Sequence, residues 1–366
     1  MAASRIVVGV DGSNGARSAL LWAADECRIR GASLFVVHAP DPVDASMVGI
    51  NGEAALRSID DVGARMLSEL VALASARQPG VPVASLLSHA HAADALIALS
   101  AEADVLVVGT RGRASFAASM LGSVSHRVAA HCQCPLVIAS QQAVSGRSST
   151  RRDLAVGVSQ SSAGLAALEF AFQEASLRGA ALIAVRAWGD PEQSRDDGSR
   201  PATDDAGPTA VKSPRTVEES SSSIGESGRK AAGSLPVTQN LHIQTGDSRS
   251  GTDDQARQRA TRILQRDLDR LSRRYPRVEV AAKLQRTSPA DALLNAARQA
   301  ELVVVGCHHS DDPRSSQLGA VPAAIVYRAE CPVAVIRRRH SRYRGAPEED
   351  LAHLRFARTG STIDYA

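Results

Sequence analysis

Aromatic side chains are scarce in this sequence: Phe, Trp and Tyr make up 3% of 366 residues, against 44% hydrophobic residues in all. Its interior must therefore be packed mainly from Ala, Val, Leu and Ile, a profile that suits parallel α/β sheets covered on both faces by helices. Cysteine is sparse as well, and five scattered residues, an odd number, argue against a disulfide framework and for a reducing compartment. No apolar stretch approaches the roughly 18 residues needed to span a bilayer, and the N-terminal run is interrupted by Gly9 and Asp11. The chain thus reads as cytoplasmic, with no membrane partner. A formal charge of +3 is too small to argue for a nucleic-acid partner by itself.

What the chain does have is alternation and length. At 366 residues it suits two domains, each large enough to bury a core. A strand is expected at about 5 to 11, then a helix over Asn14 to Arg30 stopped by Gly31, and a strand over Ser33 to Ala39. A helix over Glu53 to Arg77, a strand near Pro82 to Ser88, a helix over His91 to Ala101 and a strand over Ala103 to Val108 follow. The series closes with a helix from Gly122 to His131 and a strand over Pro135 to Ala139. Strands alternating with helices through short connections mean right-handed βαβ crossovers and a parallel sheet.

The pattern then begins again. Asp153-Leu-Ala-Val-Gly157-Val-Ser159-Gln-Ser161 repeats the segment around Gly9 and Asp11 at an offset of 148, as Gly157 after Gly9. Gly306 repeats Gly109, and Cys331-Pro repeats Cys134-Pro, at an offset of 197. The difference is an insertion in the second copy, and composition places it at about 190–253, where Ser, Gly, Pro, Thr and charged residues dominate. Such a segment buries too little surface to offset chain entropy and is expected to be a disordered loop. The expected division is a first domain at 1–140, a linker at 141–152, a second domain at 153–340, and a basic tail at 341–366.

Two stretches carry chemistry. Gly109-Thr110-Arg111-Gly112-Arg113-Ala-Ser115 leads to Gly122-Ser123-Val124-Ser125 directly after a β-branched run. A strand that stops at glycine, crosses a loop of small and basic residues and resumes as a helix is the layout of an anion-binding turn, because open backbone N–H groups and the helix dipole attract negative charge. The spacing is neither a Walker loop, since no Gly-Lys-Ser/Thr is present, nor a dinucleotide fingerprint. The other stretch, Arg5-Ile-Val-Val-Gly9-Val-Asp11-Gly12-Ser13, is a short strand ending in Asp-Gly-Ser.

Together these motifs resemble those of the universal stress protein family, in its tandem, ATP-binding form. The resemblance implies two tandem doubly wound parallel five-stranded sheets of the adenine nucleotide α-hydrolase-like type, with strand order 3-2-1-4-5. That order puts Asp11 and Gly109 at the tips of neighbouring strands, at the switch point where open α/β sheets bind ligands. It further implies that Asp11 reads adenine, Gly109 lies against ribose, and Gly112, Gly122 and Ser123 hold phosphates. The ligand is then ATP, with magnesium as an optional companion.

The rival readings stay open beside these. Asp11 and Ser13 are equally good helix caps, and Gly9 serves either close approach to a ligand or packing under a helix. Arg111 and Arg113 are placed to neutralise a triphosphate or simply to be solvated. Ser123 and Ser125 offer hydroxyls beside the helix N–H groups, while the chain around Val37, His38 and Ala39 is expected to border the adenine. The cluster His131-Cys132-Gln-Cys134 resembles a metal site, but only Cys134 recurs in the second copy, so packing is the expected role. In that copy Ser159 replaces Asp11, His309 replaces Gly112, Ala320 replaces Ser123, and Asp311 and Asp312 enter the loop. Two carboxylates repel a triphosphate, so the second copy is expected to bind weakly or not at all. His308, His309, Asp311 and Asp312 as a metal site is the competing view.

Nothing beside the loop looks like an apparatus for hydrolysis, so the expectation is a nucleotide-dependent sensor or regulator in stress response, acting on an unidentified protein partner. The alternatives are a slow ATPase, a carrier of AMP or a cyclic nucleotide, and a nucleic-acid accessory protein using the basic run Arg337 to Arg344. By resemblance the two copies pack as a pseudo-symmetric pair through their last strands, Pro135 to Ala139 and Pro332 to Arg337, with a homodimer as a further option.

Overall fold

The structure is a computed structural model, and it describes residues 4–40, 52–110, 122–139, 153–188, 244–245, 251–307 and 318–337. The first half runs β1 (Arg5–Gly9), α1 (Asn14–Arg30), β2 (Ser33–His38), α2 (Gly52–Arg77), β3 (Val83–Leu87), α3 (Ala92–Leu99), β4 (Val105–Gly109), α4 (Ser123–His131) and β5 (Leu136–Ala139). The second runs β6 (Asp153–Gly157), α5 (Ser162–Arg178), β7 (Leu182–Ala187), β8 (Gln244–Thr245), α6 (Gly251–Arg274), β9 (Val280–Gln285), α7 (Pro289–Ala297), β10 (Ala300–Gly306), α8 (Ala320–Arg328) and β11 (Val333–Ile336).

Local signals place these boundaries. Ser13 caps α1 by accepting from the Ala16 N–H, and Gly31 ends it in the left-handed region at φ 63°. Ser161 and Gly179 (φ 61°) do the same for α5, 148 residues on. The strands are apolar on both faces, as central parallel strands require: all four residues of β5 and all four of β11 are buried.

The sheet order among the described residues is β3-β2-β1-β4-β5-β11-β10-β6-β7-β9-β8. Each half keeps the order implied by the family resemblance, with β8 added at the outer edge of the second, and the two sheets run on as one through their last strands. The halves join antiparallel through Val333↔Ile138, Ala334↔Val137 and Val335↔Leu136. Left apart, β5 and β11 would each expose a row of unpaired backbone groups, and pairing satisfies both rows. A further difference lies in the insertion. Gln244 and Thr245 form a strand that pairs with Lys283 and Leu284, and α6 begins at Gly251, so these positions within 190–253 are regular structure rather than a disordered loop.

Two apolar layers flank the sheet, and both run through the seam between halves. One gathers Ile6, Val8, Leu20 and Leu70 with Leu154, Val156, Leu168 and Leu264; the other gathers Leu96, Ile97, Leu106 and Ile138 with Leu293, Val303, Ile325 and Val335. Within the first layer α1 meets α5 through four charged side chains. Arg30 pairs with Glu26 and Glu174, and Arg178 pairs with Glu26, Glu174 and Glu301. Each member is matched by its counterpart 148 residues away, and so are the rings beneath: Arg30 lies over Phe170 and Arg178 over Trp22. Both Glu side chains are 1% exposed, so each carboxylate depends on the guanidinium of the other half for compensation.

Candidate functional site

In the first half the reversal of strand order falls between β1 and β4, which pair through Val8↔Val107. The tips of β1, β2 and β4 therefore open on the same edge of the sheet. After β1 the Val10 N–H still reaches the Val37 carbonyl at 2.8 Å, and Gly12 then turns the chain with φ 79°. This left-handed residue is where glycine is required. Asp11 accepts from the Ser13 N–H at 3.0 Å, and Ser13 accepts from the Ala16 N–H at 3.2 Å. The capping role weighed for Ser13 is thus present, with Asp11 shaping the turn that holds it.

From β2, His38 turns its ring back onto β1, with Nδ1 2.9 Å from the Val10 carbonyl. A carbonyl only accepts, so Nδ1 carries the hydrogen. The His38 carbonyl in turn accepts from the Ser88 N–H at 2.8 Å, and Ala39 follows at half-buried depth.

At β4 the chain is fastened on both sides. The Thr110 N–H donates to Ala139 at 3.3 Å, while its carbonyl accepts from the Gly122 N–H at 3.0 Å, which sets the start of α4 beside the strand it follows. The buried Ser125 hydroxyl donates to the Gly109 carbonyl at 2.8 Å and ties the first turn of α4 to the tip of β4. No side chain caps α4 at Gly122, and no acidic residue lies in its first turn. The exposed Ser123 and half-buried Val124 therefore begin a helix whose positive end faces the crevice.

Two glycines have a physical explanation in packing. A Cβ on Gly109 would lie 2.6 Å from the Gly15 carbonyl carbon, and one on Gly9 would lie 2.7 Å from Leu96 Cδ1. Gly9 packs under the movable end of the Leu96 side chain, whereas Gly109 meets the backbone of α1 and makes room for that helix. Of the remaining candidates, Arg111, Gly112, Arg113 and Ser115 lie outside the described residues, as do His308, His309, Asp311 and Asp312 and the basic tail.

The second half repeats the frame with altered groups. A Cβ on Gly306 would lie 2.7 Å from Ala163, as Gly109 meets Gly15. Ser159, in the place of Asp11, shares a 2.9 Å hydrogen bond with Ser161. Arg186 stands where His38 does and donates to the Val158 carbonyl at 3.3 Å, while its buried Nε has no partner among the described residues. Burial works against the charge of Arg186, offset in part by Asp267. At α8 the position of Ser125 is taken by Pro322, which has neither a hydroxyl to tie to Gly306 nor a backbone N–H. The offset of 197 residues was enough to reveal this exchange, whereas the hydrogen bond that makes Ser125 matter required coordinates.

Among the described residues no group of three or more His, Cys, Asp or Glu is placed to hold a metal ion, and no helix is long and apolar enough to cross a membrane. Cys134 and Cys331 are both buried at equivalent places, 4% and 5% exposed, as expected of packing residues.

Comparison with known proteins gives the same frame. A universal stress protein of Mycobacterium tuberculosis is 28% identical over 336 residues, spanning 91% of this chain and 96% of its own length. One from Mycolicibacterium smegmatis is 29% identical over 338 residues, spanning 91% and 97%. The crystal structure of a universal stress protein from Archaeoglobus fulgidus superposes with a TM-score of 0.60 at 14% identity, covering 92% of this chain and all of the other, which bears on fold alone. The sequence model of the Universal stress protein family matches twice in tandem, at residues 3–140 and 150–337, and the chain belongs to that family.

Proposed function

We propose that the chain is an ATP-binding universal stress protein whose first domain, 1–140, holds the nucleotide and whose second, 153–340, has lost most of that capacity. The observation that carries this reading is the uncapped start of α4, fastened by Ser125 to the tip of β4 and set beside the Asp11 turn at the tip of the neighbouring strand. Backbone N–H groups of Ser123 and Val124 would meet phosphate oxygens. Asp11 and the backbone from Val37 to Ala39 would border the base, with His38 fixing the Val10 carbonyl between them. ATP would bring magnesium with it, held through phosphates rather than by a protein cage.

The protein then acts as a cytoplasmic regulator, in which the bound nucleotide biases one conformation or one protein contact over another. Efficient hydrolysis is not part of this reading: no acidic residue lies in the first turn of α4, and the sequence has no Walker lysine at the loop before it. Calorimetric titration of the full chain with ATP, and in competition with AMP and cyclic AMP, tests it. One tight ATP site per chain is expected; two equivalent sites, or a preference for a monophosphate, would overturn it.

A further inference from the structure

All five cysteines are buried thiols, yet their surroundings differ. Cys27 lies inside the first apolar layer, where burial and the neighbouring Glu26 push its thiol up to about 12. Cys331 donates to the Ala297 carbonyl at 3.8 Å. Cys132 is set apart by what touches it. It ends α4, with its N–H on the Val128 carbonyl at 2.8 Å. Its Sγ donates to the Cys134 carbonyl at 3.2 Å and lies 3.7 Å from the Cys134 Sγ.

The seam between the halves brings a cation to the last turn of α4. Arg337, at the end of β11, donates to the Ala129 carbonyl on the last turn of α4 at 2.7 Å and lies 3.9 Å from the Cys307 Sγ. Burial alone would raise the Cys132 thiol, but hydrogen bonds from Cys134 and Ser100, with the charge of Arg337, bring it below its ordinary value. A thiol held low by hydrogen bonds, with a cation nearby, and adjacent to a second thiol is the arrangement of a reactive cysteine with its resolving partner. The second half has no such pair, since Ala329 occupies the place of Cys132.

We propose that Cys132 and Cys134 are a reversible dithiol–disulfide pair, a modification site oxidised by small hydroperoxides at the seam of the two halves. The Cys132 thiolate attacks the peroxide, forming an S–O bond as the O–O bond breaks and an alcohol or water leaves with a proton. The Cys134 sulfur then attacks the sulfenic sulfur; an S–S bond forms, the S–O bond breaks, and hydroxide departs as water with the Cys134 proton. Two thiols and one hydroperoxide thus become one disulfide, one alcohol (water, for hydrogen peroxide) and one water. The sulfurs close to about 2 Å in the product, and opening of the last turn of α4 admits a molecule as small as hydrogen peroxide.

The test treats the full-length folded protein with hydrogen peroxide, unfolds it in an alkylating reagent and maps the peptides by mass. Alkylatable thiols are expected to fall from five to three, with the loss of two hydrogens confined to the peptide spanning 132–134, and dithiothreitol restores all five. Cys132 should react at least roughly ten-fold faster than Cys27. Five unchanged thiols, a sulfinic acid on Cys132, or a bond from Cys132 to Cys307 would each overturn the proposal. In Cys134→Ser the oxidation should stop at a sulfenic acid on Cys132 that a dimedone probe captures, and capture of nothing would count against it.

Discussion

The crevices at the two ends of the molecule share a scaffold and differ in what that scaffold presents. Gly109 and Gly306 both press against the start of a helix, with the neighbouring backbone at 2.6 and 2.7 Å from where a Cβ would stand. Backbone meeting backbone leaves no room for any side chain, so this glycine serves the fold in either half. The groups that face outward obey no such constraint. Where Ser125 ties α4 to Gly109, Pro322 leaves α8 untied, and where Asp11 accepts from Ser13, Ser159 shares a hydrogen bond with Ser161. A duplicated fold can thus keep its packing while the polar groups at the two strand tips diverge.

The comparison breaks most visibly at the charged cluster that joins α1 to α5. Arg178 touches Glu26, Glu174 and Glu301, whereas Arg30 touches only the first two of these. Arg178→Ala leaves two buried carboxyl groups with the single guanidinium of Arg30 between them and is expected to cost about 3–5 kcal/mol, with Arg30→Ala costing less, as read from denaturant unfolding midpoints. Equal losses would mean that Glu301 adds nothing and the two helices are equivalent.

A smaller effect is expected from giving the first half the residue of the second. Ser125→Pro removes the hydroxyl tie to Gly109 and one N–H of the first turn of α4. Proline is tolerated at the start of a helix, as in α8, so circular dichroism should stay unchanged. ATP affinity should fall about ten-fold, the equivalent of one hydrogen bond to a phosphate lost as the untied turn moves the Ser123 and Val124 N–H groups out of place. Unchanged affinity in calorimetry would place the phosphates elsewhere.

The smallest effect sharpens the asymmetry within the cluster itself. Burial and repulsion from Glu26 push the Glu174 carboxyl up to about 7, while the arginines hold Glu26 below its ordinary 4.5. Between 4.5 and about 7 the folded chain therefore keeps a proton on Glu174 that the unfolded chain releases, so stability falls as pH rises through this window. The contribution of Glu26 has the opposite sense: it is present above 4.5 and is lost as pH falls. Glu174→Gln should flatten the decline between 4.5 and 7 in thermal melts taken across pH, and a decline of undiminished slope would assign it to other groups.

Much of this was legible in the order of residues. Ser13 and Gly31 bound α1 at Asn14–Arg30 as their chemistry requires, and the alternation of apolar runs gave the strands to within a residue or two. β1 stops at Gly9 rather than at 11 because the chain turns at Gly12. The repeat disclosed the second half, and the glycine-rich stretch after β4 pointed to the crevice before any coordinate did. Other features stayed hidden because they join residues far apart. Nothing near Glu26 announces Arg178, 152 positions away, and Ser125 reads as one more small residue until its hydroxyl is seen on Gly109.

By itself, then, the sequence determined the secondary structure and the duplication, because caps, periodicity and glycine act over a few residues. Only the tertiary structure decided the register in which β5 meets β11, that Gly109 is demanded by packing, and that the sulfurs of Cys132 and Cys134 lie together. Those outcomes depend on unpaired sheet edges and contact between distant segments, which have no energy until the chain has folded.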